Sequence, residues 1–92
     1  MIVLMRALIL YRPRSEHEGK VLDYVHEYQI RHPDRQLELV SLDTINGDQM
    51  ARLYDVVSYP AILITAPPDG QLVQLWQDEQ LPLMDDIDFY LQ

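Results

Sequence analysis

Three histidines and fifteen carboxylates offer the most chemistry in this chain, and their spacing limits what they can do. A helical zinc site of the His-Glu-x-x-His kind needs its second histidine four residues after the first, so that both imidazoles share a face. His26-Glu27 is followed by His32, six residues after His26, which at about 100° per residue turns it nearly to the opposite side. Pro33 also ends the helix there. His17 lies between Glu16 and Glu18, but adjacent helical residues diverge rather than converge on one ion. Ser15, Ser41 and Ser58 are not in a Gly-x-Ser-x-Gly turn that would expose a nucleophile, and three glycines supply no phosphate-cradling loop. With no cysteine in the chain, thiol chemistry has no reagent. These residues assign no catalytic group, no metal site and no cofactor, and no enzyme is expected.

Binding chemistry is better represented. Arg12 and Arg14 close an apolar run and stand beside the start of a helix, a placement that favours an anion or a peptide carboxylate. Ser15-x-x-Glu18 has the spacing of a capping box, in which the serine oxygen accepts from the amide three residues on and the glutamate reaches back. Tyr11, Tyr59 and Trp76 offer amphipathic aromatic area for contact.

The elements that position these residues follow from the apolar pattern. Residues 2–11, IVLMRALILY, form a nearly continuous apolar run suited to a strand buried on both faces. From Ser15 to Arg31, Val21, Leu22, Val25, Tyr28 and Gln29 form a one-sided helical stripe, which Pro33 terminates. Residues 37–42 predict a second strand, 43–47 a loop, and 48–55 a short helix with Met50, Leu53 and Tyr54 facing inward. Residues 61–65 and 71–76 read as strands around Asp69-Gly70, a hairpin signal. The last helix spans 82–91, with Pro82 at its start, Asp85 and Asp86 near its positive end, and Leu83, Ile87 and Leu91 as its stripe. The order is β-α-β-α-β-β-α in one domain, residues 1–92.

Charge narrows the partners. Residues 1–42 balance six acids against six bases, whereas residues 43–92 hold nine acids against Arg52 alone, so the net charge of −8 sits in the second half. That half repels a phosphate backbone and an anionic membrane surface. Nucleic acid and membrane are therefore not expected partners, and the acidity serves solubility. No apolar run approaches the length of a membrane span. Arg6 interrupts the opening run and no small-residue cleavage site follows it, so a cytoplasmic location is expected.

The order of elements resembles the minimal thioredoxin/glutaredoxin fold. The match is carried by Leu53-Tyr54-Asp55-Val56-Val57-Ser58-Tyr59-Pro60-Ala61-Ile62-Leu63-Ile64, similar to the family's Tyr-Gly-Ile turn and cis-proline strand opening, with Asp55 where glycine is usual. The resemblance implies a four-stranded mixed α/β sheet in the order 2-1-3-4 with helices on both faces. It also places Ser15 and Glu18 near the two active-site cysteine positions, which implies a cysteine-less, redox-inactive member. In the family the cis-proline loop pairs with an extended peptide or with glutathione. The resemblance therefore implies a protein or peptide partner at a surface made by Tyr11, Arg12, Arg14, Ser15, His17, Ser58, Tyr59 and Pro60. Two other readings stand beside it. One is a glutathione-type small-molecule binder, faintly echoed by Asp85-Asp86-Ile87 but without the usual glycine pair. The other is a structural or homodimerising subunit.

Overall fold

An apolar run with no polar alternation has no face to offer water, and the chain resolves this by placing it in the middle of a sheet. In the computed structural model, which describes residues 5–77 and 81–91, β1 (Arg6–Tyr11) is an interior strand. It pairs in parallel with β2 (Leu37–Ser41) on one side and antiparallel with β3 (Ala61–Ala66) on the other. β4 (Gln71–Gln77) closes the hairpin onto β3, giving the order β2-β1-β3-β4. The fold is thus the expected α/β arrangement. The strand begins at Arg6, after Met5, and residues 2–4 of the expected run lie outside the described residues.

Alternate residues of β1 serve two cores, as the pleat requires. Ala7 and Ile9 face one side, with Ile62 and Ile64, under α1 (Glu18–Arg31) and α3 (Met84–Leu91). Leu8 and Leu10 face the other, with Ala61 and Leu63, under α2 (Ile45–Leu53). Polar bonds join α1 and the segment after it to α3 and the segment before it. Tyr24 donates to the Pro82 carbonyl at 2.7 Å, while Arg35 and His32 face Asp88 at 3.1 and 3.5 Å.

Several helix details correct the sequence reading. The α1 stripe buries Val21, Val25 and Tyr28 but leaves Leu22 exposed, because the face on the first core runs through Val21, Tyr24, Val25 and Tyr28 at i, i+3, i+4 and i+7. α2 begins at Ile45, inside the segment expected as a loop, because the Thr44 side chain accepts from the Gly47 amide at 3.0 Å and caps the helix there. Starting the helix earlier rotates the buried face onto Gly47 and Ala51. Leu53 is then 73% exposed, while Met50 and Tyr54 are half-buried against the second core. Gly47 is required at that face, since a Cβ there would run into the Ser41 carbonyl oxygen. α3 starts at Met84, two residues after Pro82, and its stripe rests on Ile87, with Leu83 left in solvent.

Candidate functional site

The end of β1 and the start of β3 lie side by side, so the segments that follow one and precede the other meet at the same edge of the fold. Residues 12–17 form a compact turn between β1 and α1. The Ser15 hydroxyl donates back to the Arg12 carbonyl at 2.5 Å, and the Arg12 amide donates to His17 Nε2 at 3.1 Å. Arg14 occupies the left-handed region at φ 61°, which reverses the chain within the turn.

This turn replaces the expected capping box. The α1 N-cap is His17, with helical backbone angles and no side-chain cap bond. The Glu18 amide goes to the backbone carbonyl of Ser15 at 3.3 Å rather than to its hydroxyl. The serine side chain is committed backward to Arg12 instead, and the helix begins three residues later than Ser15.

The second segment descends from α2. The Asp55 amide bonds the Arg52 carbonyl at 3.4 Å and the Val56 amide bonds the Ala51 carbonyl at 2.9 Å, a crossed pair that ends the helix in a Schellman cap. Asp55 takes the left-handed position at φ 55°, which explains how aspartate fills a place that favours glycine: a short polar side chain tolerates that region better than most. Gln77, the last residue of β4, then accepts through Oε1 from the amides of both Val57 and Ser58, at 3.0 and 3.2 Å. The Tyr59–Pro60 bond is cis, and the Tyr59 hydroxyl donates to the Val56 carbonyl at 3.2 Å.

The two segments meet across an open cleft of about 540 Å³, lined by Arg12, Ser15, Glu16, His17, Lys20 and Tyr59. The Arg12 guanidinium carbon lies 5.9 Å from the Tyr59 ring centroid, within reach of a cation–π attraction. Four of the eight residues singled out from sequence line this cleft. The other four do not. Pro60 is fully buried, Tyr11 packs against the first core, and Arg14 and Ser58 are exposed beside the cleft. Trp76 is drawn away altogether, since Ile62 opposite it faces the first core and its ring meets Tyr90 at 5.9 Å. Glu16, Lys20 and Gln77 were missed. Lys20 follows Glu16 and His17 at helical spacing, a legible signal, whereas no local pattern announces Gln77. Among the described residues no group of three His, Asp or Glu side chains is placed to hold a metal ion. No helix among them is long and apolar enough to cross a membrane.

This architecture, with its strand order and its proline loop beside the end of β1, is the thioredoxin fold. Solved structures agree. A thioredoxin from Fasciola hepatica superposes with a TM-score of 0.74 at 12% identity, over 97% of this chain and 82% of its own. Thioredoxin O2 from Arabidopsis thaliana, in its oxidized state, gives 0.71 at 11% identity, over 97% and 76%. Thioredoxin-2 of the malaria parasite, described as a component of its protein secretion machinery, gives 0.70 at 14% identity, over 97% and 85%. No protein-family model matches the sequence, and no curated protein does. The chain has the fold without the thiols: with no cysteine, thioredoxin-type dithiol exchange has no donor.

Proposed function

We propose that this chain is a redox-inactive thioredoxin-fold binding module that takes a protein or peptide partner in the cleft between the 12–17 turn and the Tyr59–Pro60 loop. The observation that carries this reading is the meeting of Arg12, Ser15 and His17 with Tyr59 around one cleft, although His17 and Tyr59 stand 42 positions apart in sequence. An aromatic ring under a guanidinium, with a hydroxyl and an imidazole beside it, is a mixed apolar and polar surface of the kind that peptides meet. The loop is held in advance of any partner, by Gln77 on its backbone and by the Tyr59 hydroxyl on Val56, which lowers the ordering cost of binding. An extended segment would lie along this edge in the manner of strand addition.

The test is a displayed-peptide selection on the folded protein, followed by affinity measurement on Tyr59→Asp and on Ile30→Asp, an exposed position near the far end of α1. Loss of binding in Tyr59→Asp with retention in Ile30→Asp supports the reading. Equal binding by both variants moves the interaction to another face. Binding of glutathione in place of peptides favours the small-molecule reading.

A further inference from the structure

We infer that the occupant of this cleft is an acidic, extended peptide segment. The inference rests on the binding reading above and adds the chemistry of the partner. Its observation is the distribution of ion pairs. The chain has fifteen acids and seven lysines and arginines, so an arginine has an abundance of carboxylates to choose from. Arg6 pairs with Glu38, Arg31 with Glu27, Arg35 with Asp88 and Arg52 with Asp48. Only two arginines, Arg12 and Arg14, have no carboxylate within ion-pair distance among the described residues. They sit two residues apart in the same turn, Arg12 lining the cleft and Arg14 exposed.

The guanidinium of Arg12 is held near the face of Tyr59, yet its N–H donors are directed in its own plane. That leaves the forked geometry that matches a carboxylate. Glu16 is the one carboxylate lining the cleft, and it selects against crowding by a second anion near α1. Against it the cleft sets two cationic lining side chains, Arg12 and Lys20. The nine acids of residues 43–92 oppose such a partner, and salt weakens that opposition wherever it acts beyond the Debye length of about 8 Å at physiological ionic strength. A cleft of about 540 Å³ falls within the range of roughly 300–1,000 Å³ that holds ligands larger than a single carboxylate or phosphate. Tyr59 supplies apolar area for side chains between the charges.

The experiment titrates the isotope-labelled protein with three probes: a blocked peptide alternating glutamate with leucine, the same peptide with glutamine for every glutamate, and inorganic phosphate. It is repeated on Arg12→Gln/Arg14→Gln, whose folding the amide spectrum itself verifies. The acidic peptide is expected to shift amides of residues 12–17 and 57–61. It should bind at least about tenfold more tightly than the glutamine peptide, a difference of about 1.4 kcal/mol, and the double variant should lose that preference. If both peptides bind equally at those amides, the acidic class is wrong while the binding site stands. If phosphate shifts the same amides as strongly as the acidic peptide, the occupant is a small anion and the peptide is wrong. If no probe shifts them, the acidic partner is overturned, and the displayed-peptide selection decides separately whether the site binds at all.

Discussion

Arg12 and Tyr59 stand 47 positions apart in sequence, and the guanidinium of one lies 5.9 Å from the ring centre of the other. The contact exists because β1 and β3 run antiparallel, so that what leaves β1 meets what enters β3. It spans the cleft and ties its two walls together. At an exposed site such a pair contributes about 0.5–1 kcal/mol. A double-mutant cycle on Arg12→Ala and Tyr59→Ala, read by urea unfolding, should return a coupling of that size. A coupling near zero means the walls are held independently.

Asp55 should be replaceable by glycine with a gain. Its left-handed backbone is forced by the cap that ends α2, and glycine adopts that region without a Cβ penalty. Asp55→Gly is expected to raise the unfolding free energy by up to about 1 kcal/mol, and Asp55→Val to lower it by about 1–2 kcal/mol. Chemical denaturation of the three proteins checks the order.

Gln77 should act as the clamp of the proline loop. Removing its side-chain oxygen frees two amides that it now satisfies, at Val57 and Ser58. In Gln77→Ala, hydrogen exchange at those amides should accelerate by about fivefold, corresponding to the roughly 1 kcal/mol net value of such a bond. Exchange in β1 should be unchanged, because the core beneath does not depend on Gln77.

The fold was legible in the sequence, and the site only in half. A continuous apolar run must be an interior strand, Pro33 must end a helix, and Asp69-Gly70 must turn; these are local constraints that need no partner. Ser15 misled because its capping-box spacing is genuine, but the Arg12 carbonyl lies closer to hand and takes the hydroxyl first. Leu53 misled because the helical phase was counted from the wrong start, once Thr44 had been passed over as a cap. Leu83 misled in the same way at α3. Arg12 against Tyr59, and Gln77 against Val57 and Ser58, are contacts across the sheet. Spacing along the chain does not carry them.

High pH should weaken the domain through the phenols of Tyr24 and Tyr28. Burial is the main cause that pushes the Tyr24 hydroxyl well above the usual tyrosine range, with Tyr28 and Asp86 adding to it. Burial, then Asp88, raises Tyr28. A folded-state pKa above the unfolded value means that the unfolded chain releases its proton first. The associated stability is therefore whole below about pH 10 and declines as pH climbs from there toward the folded-state values. The denaturation midpoint should fall over that range, less steeply in Tyr24→Phe. Tyr28→Phe carries a second expectation: the Tyr28 hydroxyl is buried with no hydrogen-bond partner among the described residues. Its removal at neutral pH should leave stability unchanged or raise it by up to about 1 kcal/mol.

The most direct measurement of the central claim is a map of amide shifts on the labelled protein, titrated with a peptide recovered by selection on it. The account predicts that the perturbed amides gather at residues 12–20 and 55–61, on both walls of the cleft, and that Tyr59→Asp abolishes them. Shifts gathered instead along β2, or on the exposed faces of α2 and α3, with the cleft silent, would contradict it.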